Sequence, residues 1–349
     1  MIDFRYHIVS LISVFLALAV GIALGAGPLK ETVGDTLTGQ VEQLREDRDG
    51  LRTALEEAQR SEAAQRSYLE AAAPQLVEGT LQGRRVAVVM LGPLEADVLS
   101  GVVGQLESAG ASVSARVTVT EGWTDPSLRS FRQALSGNLA TYLDPQPSEQ
   151  AGVEVDLAEA LAQGLTGADP AAPNELSEQA SLLLQLLASD ESELITVEDA
   201  ISAPADAIVV LAATADTERS ETPAPVEDVV AAHVAIASAA QARSDGAVVA
   251  GGARTPGGLV ETILGDGDLA DSLSTVSRVD QLTGQVSVPL ALNARIAGPA
   301  GHFGVGDGET PVPVPSTLPP VDRTPTLPPV EPAAAQVGPT DPADDEAAG

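Results

Sequence analysis

Arg85-Val86-Ala87-Val88-Val89-Met90-Leu91 is an unbroken apolar run behind one arginine, bounded by Gly83 and by Gly92-Pro93. Its length and its valines suit a strand better than a helix. A strand with one wet face alternates apolar and polar residues, and this one does not. The run therefore predicts a strand buried on both faces, as in parallel sheets covered by helices on each side. The next residues have the matching form. Residues 94–108 carry Leu94, Val98, Val102 and Leu106 at helical spacing, and Ser112–Val119 alternates as a second strand. Strand, helix, strand is a βαβ unit.

The pattern returns downstream. Ala207–Ala212 reads as a buried strand, residues 226–244 as a long helix and 247–251 as another strand. A short helix is expected near 258–264, a fifth strand over 272–279, and a last helix over 282–296 that Pro289 disturbs. Between the two halves, residues 126–200 read as a helical insertion with a stripe of Leu182, Leu183, Leu186 and Leu187. The expected fold class is α/β. One domain spans residues 84–308, with a mostly parallel sheet covered by helices; two smaller domains are the alternative.

Upstream, Ile8 through Gly27 is a run of twenty residues without formal charge. At about 1.5 Å per residue it reaches roughly 30 Å, one hydrocarbon core. Secretory signal cores are shorter, about 7–15 residues, although Ala23-Leu24-Gly25 has the small-x-small form of a cleavage site. The reading is an uncut transmembrane anchor over residues 1–30, with Phe4 and Tyr6 at the interface. Arg5 and Lys30 nearly balance across it, so the long following chain decides the orientation. The N-terminus is expected in the cytoplasm and the bulk outside it. Residues 31–73 then read as a coiled-coil stalk. Leu37, Val41, Leu44, Leu51 and Leu55 keep four-three spacing, with Arg48 in one seam position. Ala58 continues the register, Glu62 and Gln65 weaken it, and Pro74 and Gly79 end it. Such a stalk implies a homo-oligomer; a single amphipathic helix packed on its own domain is the alternative.

The chain of 349 residues carries a net charge of -32 and no cysteine. That excludes disulfides, thiolate metal sites and cysteine nucleophiles. A surplus of acid argues against nucleic acid as a partner, because phosphate binding runs on Lys and Arg. From Glu309 to Gly349 the composition turns Pro-rich and acidic, predicting a disordered tail.

Catalytic motifs are missing. There is no G-x-S-x-G, H-E-x-x-H or Walker loop, and Gly92, Gly101 and Gly104 do not have dinucleotide-binding spacing. The expectation is a non-enzymatic protein. The loop 251–258, G-G-A-R-T-P-G-G, follows a strand and precedes a helix, where Arg254 could assist an anion; a plain connection is the alternative. His7 lies at the membrane edge, and His233 falls on an apolar helix stripe. His302 lies in G-H-F-G-V-G-D-G, where a metal could bridge His302 and Asp307, or the segment is a turn with an incidental histidine. Asp266, Asp268 and Asp271 lack the glycine and distal Glu of a calcium loop and read as a solvated turn.

The opening M-I-D-F-R-Y-H-I-V-S-L-I-S-V-F-L-A-L-A-V-G-I-A-L-G-A-G-P-L, the short stalk, the strand R-R-V-A-V-V-M-L-G-P and the closing G-H-F-G-V-G-D-G together resemble the actinobacterial MctB family. The likeness covers about residues 1–308. It implies a role in copper transport and homeostasis (efflux) at the cell envelope, with an outer-membrane, pore-like assignment for some members. Related proteins called SteB imply another role, the control of cell-wall hydrolases with a SteA-like membrane protein as partner. Copper is implied by the resemblance alone. Cu(I) favours sulfur and Cu(II) imidazole, and the chain offers Met1, Met90 and three scattered histidines. A membrane barrel needs at least eight alternating strands, against about five short ones here.

Overall fold

Residues 4–26, 28–148, 152–189, 193–212 and 225–326 are described by a computed structural model. The chain divides into two units, Met1–Tyr68 and Leu69–Gly349. In the first, α1 (Phe4–Ala26) is the one helix among the described residues long and apolar enough to cross a membrane. Its large apolar side chains, from Phe4 to Leu24, are all exposed. A helix of this composition is stable only where something other than water meets those side chains. The second helix, α2 (Pro28–Val77), supplies the rest of this unit through Tyr68.

The last turns of α2 belong to the second unit, and Pro74 lies inside the helix rather than ending it. A proline removes one hydrogen bond. Burial of Ala73 and Val77, each at most 1% exposed, holds the turn despite that loss. The chain then runs through β1 (Arg85–Leu91), α3 (Ala96–Ser108) and β2 (Ser112–Val119). An insertion of three helices comes next, α4 (Arg129–Leu139), α5 (Val153–Thr166) and α6 (Glu178–Leu187), closed by β3 (Ile195–Val197). The second half contains β4 (Ala207–Ala212), α7 (Val226–Arg243), β5 (Ala247–Ala250), α8 (Leu259–Gly265), α9 (Gly267–Ser272), β6 (Ser274–Val276), α10 (Leu282–Ala297) and β7 (His302–Phe303).

These strands form one sheet in the order β3-β2-β1-β4-β5-β6-β7. Every pairing is parallel except β2 with β3. The period-two geometry of β1 sends Ala87, Val89 and Leu91 into one core and Val86, Val88 and Met90 into the other. The insertion helices, α7 and α8 cover the first face. The end of α2, α3 and α10 cover the second. The strands β4, β5 and β6 succeed one another through α7 and α8 on the first face. β6 to β7 continues in the same direction through α10 on the second face, so this connection has the opposite hand.

Several boundaries differ from the sequence reading. The expected fifth strand shrinks to three residues because Asp266 caps a helix in front of it, its Oδ1 accepting from Asp268 N–H at 3.0 Å and Leu269 N–H at 3.1 Å. The acidic cluster is thus a helix start and not a loose turn. The strands β3 and β7 are additions to that reading. Too short to show a period, they exist because a neighbour offers a free edge.

The tail has no regular structure in its described part, yet residues through Thr326 are tied to the domain. Asn293 of α10 is fully buried. Its Nδ2 donates to Thr80 O at 2.6 Å and Ser316 O at 3.0 Å, and its Oδ1 accepts from Ser316 N–H at 2.6 Å. Arg323 donates to Asp206 Oδ2 at 2.6 Å and Gly83 O at 3.1 Å, and Thr326 N–H to Pro170 O at 2.8 Å. Leu318 packs against the second core. The domain boundary therefore lies beyond residue 308; residues 327–349 fall outside the described part. Asn293→Ala strands polar groups that cost about 1–3 kcal/mol each when buried without a partner. The expected loss of stability is about 2–4 kcal/mol. Ending the chain after Gly308 should make that substitution less costly, because Ser316 is then gone. Urea unfolding in detergent, followed by the single tryptophan, the fully buried Trp123, measures both.

Candidate functional site

Open parallel sheets bind ligands outside the carboxyl ends of their strands, where neighbouring connections diverge. Here β1 leaves toward β2 and β4 leaves toward β5, so the divergence lies between β1 and β4. Gly92 turns the chain at the end of β1 with φ +93°, donating its N–H to Val119 O at 3.1 Å. The residues after β4, 213–224, lie outside the described part. Of the two glycines of α3, Gly101 serves packing, since a Cβ there would come within 2.3 Å of the Gln285 side chain on α10, whereas Gly104 has open space around it.

The other half of the carboxyl edge is fully described, and it brings together two stretches that the sequence reading singled out separately. Arg254, in the 251–258 loop, donates through Nη1 to Asp307 O at 2.7 Å. Its Nε lies 2.8 Å from Glu261 Oε2, and that hydrogen bond raises the guanidinium's pKa further. The loops after β5 and β6 join backbone to backbone: Arg278 N–H to Gly252 O and Val279 N–H to Gly251 O, both at 2.9 Å. Glu309 locks the third loop. Its Oε2 accepts from Ser277 Oγ at 2.9 Å and from Gly306 N–H at 2.8 Å. Gly304 takes φ +156°, and a Cβ there would lie 2.0 Å from Ser277 Oγ and 2.3 Å from Glu309 Oε2. The glycines of this segment let a carboxylate reach the end of the sheet.

His302 Nδ1 is 2.9 Å from Thr275 Oγ1. Burial lowers the pKa of His302, against opposing effects from the Ala270 backbone and from the Glu309 and Asp271 carboxylates. The carboxylates that act on the ring are thus those of Glu309 and Asp271, and Asp307 contributes its carbonyl to Arg254. Among the described residues no group of three His, Cys, Asp or Glu converges as a metal site would require. Ser277 donates directly to Glu309, so no imidazole stands between hydroxyl and carboxylate as acyl-transfer chemistry needs. Sequence reasoning missed Glu309 and Ser277. The signal available was the carboxylate immediately after the glycine-rich run.

A cavity of about 350 Å³ lies beside α4, α5 and α7, with Arg129, Arg132, Glu154 and Asp228 in its wall. Two cations face two carboxylates, so it favours neither sign of ligand. Burial raises the pKa of Glu154, opposed chiefly by the charge of Arg132.

His233 sits on α7, partly buried as its apolar stripe suggested, and burial lowers its pKa to about 4. The unfolded chain titrates this group near about 6.5, so it takes up the proton first as pH falls. The neutral ring's contribution is complete above about pH 6.5 and is lost toward about pH 4. His233→Gln should remove that component. Urea midpoints at pH 7.5 and 5 should converge between the two proteins, or cross in favour of the variant, at the lower pH.

The MctB family, described as a copper transport outer membrane protein, matches residues 1–314. The Copper transporter MctB of Mycobacterium tuberculosis (strain ATCC 25618 / H37Rv) is 30% identical over 328 residues, covering 88% of this chain and 98% of the relative. Its counterpart in Mycobacterium bovis has the same identity and coverage. The Copper transporter MctB of Mycobacterium leprae is 27% identical over 328 residues, covering 90% of this chain and all of the relative.

Proposed function

The chain belongs to the MctB family, and from that membership we propose that it is a membrane-anchored, non-enzymatic component of copper transport or homeostasis at the cell envelope. The observation that carries this reading is the extent of the family match, which takes in the apolar helix, α2 and the whole sheet. The apolar N-terminal helix supports anchoring. In this reading it spans the membrane once, with the N-terminus in the cytoplasm and the α/β domain outside. Any outer-membrane association rests on the family description. The sheet is mostly parallel and covered on both faces, which is not the architecture of a membrane barrel.

Copper chemistry narrows the role. Met90 is 2% exposed in β1, with its sulfur 4.0 Å from Thr118 Oγ1. His302 is engaged by Thr275, and His233 is partly buried on another helix. We therefore propose that the chain serves copper efflux as part of an assembly, with His302 and Asp307 the first residues to test for direct contact. Cells lacking the chain should hold more copper after exposure to the metal, and the full chain should restore the lower level. Unchanged copper content would overturn the reading. Full chain in detergent should bind Cu(I) more weakly than about micromolar, or roughly 8 kcal/mol. Tighter binding that His302→Ala abolishes would place the copper site in this chain.

A second reading is a scaffold or regulator that acts with a membrane protein, SteA-like in kind, on cell-wall hydrolases. The exposed apolar seam of α2 favours it. Under that reading, loss of the chain alters sensitivity to cell-wall lysis and leaves copper content unchanged.

A further inference from the structure

Leu37, Leu44, Leu51 and Leu55 are 58–72% exposed and Val41 39% on a helix that runs unbroken from Pro28 to Val77. Four-three spacing places Leu37, Leu44, Leu51 and Ala58 in one heptad position (d) and Val41, Arg48 and Leu55 in the other (a). A repeat of seven belongs to a supercoiled seam between helices of similar length. We infer that two copies of this chain pair through α2 as a parallel, in-register, two-stranded coiled coil, with Arg48 fixing register and strand number. The inference rests on the anchored reading above and deepens the scaffold one; it does not depend on copper.

Charge decides the orientation. The positions beside the seam on one flank (e) are Arg45, Arg52, Gln59 and Arg66; those on the other flank (g) are Gln40, Asp47, Ala54 and Ser61. Antiparallel helices set like flanks together, which brings arginine against arginine. Parallel helices set each flank against the other, which removes that repulsion and places Asp47 opposite Arg52 of the second copy. Within one chain Arg52 Nε already lies 3.3 Å from Glu56 Oε1, so the second copy's Asp47 completes a three-membered exposed cluster. The anchors agree, since two α1 helices in one membrane start both stalks in the same direction.

Arg48 decides register and number. Its side chain is exposed in the single chain and paired with Asp49 at 2.6 Å. In a two-stranded coil its apolar stem lies along the seam and its guanidinium reaches water. A third strand would enclose that head, and a slip of one heptad would set each Arg48 against Val41 or Leu55 of the other copy.

The chain has no cysteine, so a single introduced one reports its own neighbour. Full-length protein in detergent is oxidised mildly. Leu44→Cys and Leu51→Cys should each give a cross-linked dimer and Gln43→Cys, on the outer face, should not; light scattering should give two chains per particle. No cross-link, equal cross-linking at position 43, or a mass of one or three chains overturns the inference. Mixed Leu44→Cys and Leu51→Cys chains should not cross-link with each other while Arg48 is present, and should do so with Arg48→Leu. A slip that appears with Arg48 in place overturns its role. Failure of the anchored reading has a separate signature, release of the full chain into buffer without detergent.

Discussion

Burial of β1 on both faces is the constraint on which the domain depends. An extended segment buried this way has no water for its backbone, so strands must flank it on both sides; β2 and β4 do so in parallel register. Parallel neighbours need crossover connections, and those connections supply the two covering layers. The hand of the last connection arises from the same requirement. The end of α2 and α3 lack the extent to cover β4, β5 and β6 on the second face. Val286, Val288, Leu290, Ala291 and Leu292 of α10 complete it. The chain therefore crosses beneath the sheet against the prevailing hand, and β7 has only two residues left to pair.

Asn293 is the counterpart of β1 among polar groups. It stands in an apolar helix face, and alone it would be costly to bury. Its amide joins Thr80, just beyond α2, to Ser316 in the Pro-rich segment, so a single side chain holds two irregular stretches whose backbones would otherwise lack partners. Glu309 does the same work at the opposite end of the sheet, for the loops after β6 and β7. Both ends of the α10 region are thus closed by one buried or half-buried polar side chain reading backbone.

Period determines how much of the fold is legible in the sequence. Arg85–Leu91, Ser112–Val119 and Ala207–Ala212 are long enough to display theirs, and their bounds agree with the strands observed. β3 and β7 have three and two residues, too few for any period, and depend on edges contributed by distant chain. Composition correctly announced a segment without regular structure after residue 309. It could not announce that Ser316 and Arg323 have partners on α10 and β4's approach, because those partners are remote in sequence. At the carboxyl edge, glycine spacing marked the segment around His302, but the side chain that organises it, Glu309, was hidden by its place at the apparent start of the tail.

The same logic bears on function. A protein that carries copper alone needs donors that are soft or aromatic, converging and reachable. Here the sulfur of Met90 is buried in the second core, and the imidazole of His302 is engaged by Thr275. The carboxyl edge beside it is closed by hydrogen bonds among its own loops, not left open for a small ligand. What the described chain leaves unsatisfied is instead large, apolar and helical: the side chains of α1 and the seam of α2. Membrane and a second stalk are the partners that would satisfy them. Under the function proposed above, copper handling would depend on what the anchored domains assemble with, and the proposed stalk pairing makes the helix the surface of that assembly.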